Sequence, residues 1–290
     1  MELWLLYAAL AATFAALTTI LAKIGLKEVD SHLATAIRTV VVIIFAWLIV
    51  IIFESHHGIR NIDGRTWFFL ILSGFSTGGS WLCYFRALKI GQVNKIVPID
   101  KSSTILTMVL AFIFLGEPIG PITGLGMLLM AIGTWLMLEL KKENAKTGKS
   151  QFSWLIYAVL AAVFASLTAI FGRIGVVDMN ANLWTAIRTM VVLPMSCIML
   201  FITGGQKKAR AISGKNYLFL ILSGIATGTS WLFFYRALQI GYASHVIPID
   251  KLSIVLVMVF ARLFLGEGFT KKSFAGLILL TIGTLLPVFV

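Results

Sequence analysis

The 290 residues are 59% hydrophobic and only 12% charged, with a net charge of +12. A soluble domain carries about 25% charged residues, and a mean hydropathy of +0.96 excludes one here. The basic excess would suggest nucleic acid in a soluble chain, but it sits in short loops between apolar runs, where orientation in a bilayer accounts for it.

Five apolar runs come first, at 3–22, 33–53, 67–86, 96–116 and 119–138. Each is near the roughly 20 residues that cross the hydrocarbon as a helix. None alternates apolar and polar residues as barrel strands do. The opening Met1-Glu2-Leu3-Trp4 lacks the basic region of a signal peptide, so the first run reads as a retained helix. The third run contains Ser73-Gly74-x-x-Thr77-Gly78-x-Ser80, small residues spaced for close helix packing. The fourth opens on Ile96-Val97-Pro98-Ile99-Asp100-Lys101, an acid and a base at the head of an apolar stretch. It ends on Leu115-Gly116-Glu117-Pro118, where Glu117 suits the N-terminus of a helix beginning at Pro118. Cys83 and Cys197 lie inside apolar runs and are not repeat equivalents, so they read as buried thiols.

A polar, lysine-rich linker at 141–150 follows, and then the pattern returns. Residue n matches residue n+150 without a gap: Trp4 with Trp154, Arg38 with Arg188, Trp81 with Trp231, Glu117 with Glu267. The second set of runs is 153–172, 183–203, 217–236, 246–265 and 273–290. The expected units are therefore residues 1–140 and 151–290. Five spans is an odd number, so the second unit enters the membrane from the opposite side. The expected fold is an all-α polytopic membrane protein, with ten transmembrane helices in a 5+5 inverted repeat.

Loop charges bear on orientation. About fifteen Lys and Arg, among them Lys23, Lys89, Lys141, Lys142, Lys207 and Lys271, fall on the side of the linker, and four fall on the other. The linker should then be cytoplasmic and both termini outside, in a plasma or inner membrane.

Ionisable residues inside a membrane are functional candidates by default. Arg38 lies about 10 Å into the second run, in the same leaflet as Asp100 and Lys101, and is matched to Asp100 as partner. Arg188, Asp250 and Lys251 form the mirrored set. Two arrangements fit the fourth run. Its helix either begins at Pro98 and is capped by Asp100, or begins near Val93, kinks at Pro98 and turns Asp100 toward a cavity. Pro248 poses the same choice in the second half. Aromatic pairs also repeat: Tyr7 with Tyr157, Phe14 with Phe164, Trp81 with Trp231, Tyr84 with Phe234. These are either packing groups or the wall of a midplane cavity. The four histidines form no metal-ligand pattern. No nucleophile elbow, phosphate loop or zinc-protease helix occurs, so neither a cofactor nor an enzyme is expected.

Five spans, Phe85-Arg86-Ala87-Leu88 and Tyr235-Arg236-Ala237-Leu238 ending the third runs, a Pro early in the fourth and Leu-Gly-Glu at its end resemble an EamA domain. Gly126 and Gly133, with Gly276 and Gly283, fit that pattern too. EamA domains belong to the drug/metabolite transporter superfamily, and the resemblance covers both halves. It implies a secondary transporter working by alternating access, with the first, third and fourth helices of each half lining the path. The expected activity is export of a small metabolite such as an amino acid, with protons as the candidate coupling ion. Polyspecific drug efflux is the alternative, and a membrane scaffold without substrate is the third reading. The expected partners are that small molecule and the lipid bilayer, with no nucleic acid, in a monomer or weak homo-oligomer. Relatives usually keep both termini in the cytoplasm, which the loop charges here oppose.

Overall fold

A computed structural model describes residues 3–138, 153–175, 180–205, 213–240, 246, 249 and 252–288. The first half forms α1 (Leu3–Gly25), α2 (Ser31–Ile52), α3 (Gly64–Ile90), α4 (Val93–Leu115) and α5 (Pro121–Met137). The second forms α6 (Ser153–Gly175), α7 (Ala181–Ile202), α8 (Gly214–Ile240), α9 (Ser253–Leu265) and α10 (Lys271–Leu285). Among the described residues, seven helices are long and apolar enough to cross a bilayer. Large apolar side chains point outward from them, with Phe201 and Ile202 65% and 74% exposed. In water such a surface would be unstable, whereas lipid matches it. The chain is a multi-pass membrane protein.

Local signals start and stop the helices. Asp30 caps α2 by accepting from the His32 amide at 2.9 Å. Its repeat partner Asn180 caps α7 through the Asn182 amide at 2.9 Å. Asp63 caps α3 through the Thr66 amide at 3.0 Å, and those hydrogen bonds hold its carboxyl below the usual carboxylate range. Gly116 and Gly266 end α4 and α9 with φ of 67° and 66°. A Cβ at Gly116 would meet nothing within 4 Å, so the cost of a side chain there is backbone strain alone. Gly116→Ala should lower stability by about 1 kcal/mol, read as a small fall in Tm of the detergent-solubilised protein.

The halves are inverted and interlocked. Gly126 of α5 faces Gly283 of α10, and Gly133 faces Gly276, so the two fifth helices run antiparallel. At one end of the α2–α7 pair Asp30 lies beside Gly205, and at the other Gly58 meets Leu183, so the second helices are antiparallel as well. Each third helix packs on the first helix of the other half. Ser80 donates to the Ala161 carbonyl at 3.0 Å, and Ser230 donates to the Ala11 carbonyl at 2.9 Å. Gly74 and Gly224 complete this seam by letting Val191 and Val41 approach their backbones. The small residues of the third runs are thus the joint between halves.

The helix of the fourth run starts where the second of its two arrangements puts it. α4 begins at Val93 and contains Pro98, whose missing N–H leaves the Asn94 carbonyl without its intrahelical donor. Pro248 falls outside the described residues. Glu117 does not start α5, which begins at Pro121 after Gly120. Instead it lies 3.6 Å from Arg173 at the surface. Its repeat partner Glu267 reaches the other half, as described next. Helix neighbours lie across the halves, so the acid at the end of each fourth helix meets a group of the opposite unit, a guanidinium for Glu117 and backbone amides for Glu267.

Candidate functional site

A cavity of about 330 Å³ lies between the halves. Three repeat pairs line it: Ala15 with Ala165, Ser80 with Ser230, and Trp81 with Trp231. They mark where the pseudo-two-fold axis passes. From there the cavity extends into the first half, where Thr18, Thr19, Arg38, Tyr84, Phe85 and Asp100 complete the wall with Thr227 of α8. The extension is polar for a reason visible in the residues. Thr19 and Tyr84 bring their hydroxyls to 3.3 Å, whereas the repeat positions hold Ala169 and Phe234.

Arg38 is the most deeply buried charge of the wall, 2% exposed. Its Nε donates to Ser223 Oγ at 2.9 Å and its Nη2 to Thr227 Oγ1 at 3.0 Å. Both hydroxyls spend their own hydrogens on carbonyls: Ser223 on Thr18 O at 2.7 Å, Thr227 on Ser223 O at 2.9 Å. They therefore offer lone pairs to the guanidinium. The Phe85 ring covers it, with 4.2 Å from the guanidinium carbon to the ring centroid. Arg38 is thus held by α8 of the opposite half. Asp100 lies in the same wall, and Tyr84 is within electrostatic reach of both.

The other candidates are spread more widely. Lys101 is half-buried on α4 but is not part of this wall. The Arg188 carbonyl packs where Gly74 leaves room on α3. Asp250 and Lys251 lie outside the described residues. Tyr7 and Phe14 stack on Phe233, at 5.9 and 5.7 Å between centroids. Tyr157 lies under the Arg86 guanidinium at 5.9 Å. Phe164 packs against Gly79, and Phe234 joins a cluster with Ala8, Ala237 and Val246. The sequence reading did not single out Thr18, Thr19, Ser80, Phe85, Thr227 or Ser230 as cavity residues. Ser80, Thr227 and Ser230 belong to the small-residue motif of the third runs, whose spacing speaks for packing alone.

Beside the cavity, on the side where α1 ends, the halves are tied by charge. Glu267 accepts from the amides of Val93 and Asn94, both at 2.8 Å, capping α4. Asn94 Nδ2 donates to the Gly268 carbonyl at 3.1 Å. Within the first half, Lys23 Nζ donates to the carbonyls of Leu88 and Gly91 at the C-terminal end of α3.

Two copies of one family model match the chain, at residues 2–139 and 152–289. The chain belongs to the EamA-like transporter family. Its two EamA units are the two halves whose helices interlock around the cavity. One relative, an uncharacterized transporter in the cobO 3' region of a Sinorhizobium species, is 46% identical over 134 residues. That match covers 46% of this chain and 95% of the relative, so the relative has the length of a single EamA unit. The uncharacterized transporter YxxF of Bacillus subtilis (strain 168) is 26% identical over 194 residues, covering 64% of this chain and 60% of YxxF. A protein crystal structure shares the fold, with TM-score 0.65 at 16% identity over 97% of this chain and 94% of the other. The EamA cavity found here combines a buried cation, a carboxylate and aromatic faces, a set that can bind a small polar molecule with an apolar body.

Proposed function

We propose that this membrane transporter is a secondary active exporter of a small metabolite, an amino acid or a compound of similar size. It would work by alternating access at the cavity between the EamA units. The observation that carries this reading is the cavity itself, shared by both halves, with Arg38 and Asp100 in its wall. Its volume sits at the low end of the roughly 300–1,000 Å³ typical of ligand pockets, which suits a small solute. Asp100 would contact a proton or a substrate amine, and Arg38 would balance charge or hold a carboxylate. Asp250 and Arg188 are the corresponding proposals for the second half. The excess of Lys and Arg on the linker side supports a cytoplasmic linker, with the termini outside, in a plasma or inner membrane.

Counterflow of radiolabelled amino acids into preloaded proteoliposomes tests this. The wild type should exchange at least one of them. Asp100→Asn should slow exchange by about tenfold or more and flatten its pH dependence. Wild-type rates with an unchanged pH profile would remove Asp100 from the mechanism.

A further inference from the structure

Arg38 has one nitrogen to spare. Nε and Nη2 are engaged by Ser223 and Thr227, and Phe85 covers the guanidinium. Nη1 is buried and has no hydrogen-bond partner among the described residues, and the residue lines the cavity. A buried charged donor left unsatisfied is costly, and an anionic acceptor relieves that cost most fully.

We infer that Arg38 Nη1 is the anion-recognition group of the cavity, taking a carboxylate oxygen of a small substrate whose apolar body lies against Trp81 and Trp231. This rests on the transporter reading above and narrows its substrate class. A single free nitrogen matches a monocarboxylate better than a phosphate dianion, which needs several donors. Asp100 in the same wall repels a second negative charge, while it tolerates an ammonium on the substrate. The flat faces of the tryptophans favour an aromatic or other apolar body. The arrangement also explains why Arg38 is fixed from the opposite half. Two hydroxyls of α8 fix the direction of the guanidinium, so a side-chain shift that uncovers Nη1 would leave little further ordering for the substrate to supply.

Thermal-shift and calorimetric titration of the full-length protein in detergent, with phenylacetate, phenylalanine, phenethylamine and inorganic phosphate, tests the assignment. Phenylacetate and phenylalanine should bind at millimolar concentration or below, and phenethylamine and phosphate should not. Arg38→Gln should weaken phenylacetate binding by about tenfold or more. Should Arg38→Gln elute as aggregate, the wild-type comparison of phenylacetate with phenethylamine decides by itself. Equal binding of the amine, or no binding of either carboxylate, overturns the assignment. Proteoliposome flux separates the two claims. Phenylacetate binding without flux of any solute sinks the transporter reading and leaves Arg38 in its role. Flux of phenethylamine without phenylacetate does the reverse.

Discussion

Gly276→Leu should abolish recovery of folded, monodisperse protein. A Cβ on Gly276 would lie 2.6 Å from the Gly133 carbonyl oxygen and 2.8 Å from Met137 Cγ. On the facing helix, a Cβ on Gly133 would lie 2.5 Å from the Leu280 amide nitrogen. At both positions the nearest atom in the way is backbone, which cannot rotate aside. Overpacking a core by a few methylenes costs about 1–3 kcal/mol when side chains can shift. Here α5 and α10 must separate along their length, so the cost should reach or pass the top of that range. A margin of about 5–15 kcal/mol for a whole protein leaves little room for such a loss. Size-exclusion profile and Tm after detergent extraction report it. Gly124, on the same helix α5, meets nothing within 4 Å. Gly124→Ala should therefore leave Tm unchanged or raise it, since alanine favours a helix by up to about 1 kcal/mol. A normal profile and Tm for Gly276→Leu would mean that the α5–α10 seam does not hold the two units together.

Those glycines show what could be read before any coordinates and what could not. Apolar length gives the spans, an exact repeat gives two units, and an odd number of spans gives the inversion. All three are properties of one chain read along its length. Which helix meets which is not such a property. The third-run motif promised close packing, and it packs, yet its partners are the first and second helices of the other half. Arg38 was matched to Asp100 because the two share a leaflet. They do share a cavity wall, but the hydrogen bonds of Arg38 run across the pseudo-axis to Ser223 and Thr227. A threonine facing a lumen and one facing a backbone carbonyl have the same spacing, so Thr227 could not be told from a packing residue. The one written hint was asymmetry. Thr19 and Tyr84 stand where the other half has Ala169 and Phe234, and the cavity extends toward the half that carries the hydroxyls.

Glu267 extends the same argument to stability and transport, and Glu267→Ala should lower stability by about 3 kcal/mol. Hydrogen bonds to a charged group contribute about 1.5–3 kcal/mol each, and this carboxylate accepts two, from the amides of Val93 and Asn94. Val93 is fully buried and Asn94 nearly so, so water replaces the lost acceptor poorly. The first turns of α4 are weak on their own account. Pro98 has no N–H to give the Asn94 carbonyl, so this end of the helix depends on a cap from outside. Glu267→Gln keeps one acceptor oxygen and loses the charge that favours a helix N-terminus, so it should fall between wild type and alanine in Tm. That graded order distinguishes a direct cap from a general charge effect, for which glutamine and alanine would behave alike. A functional consequence follows from distance. Asp100 lies seven residues beyond Val93, about 10 Å along α4. Loosening the cap shifts the carboxylate in the cavity wall, so the folded fraction of Glu267→Ala should exchange substrate more slowly than its abundance accounts for. Wild-type Tm and flux per folded molecule in both variants would show that α4 is positioned by its own half, and the cross-unit tie would lose its role.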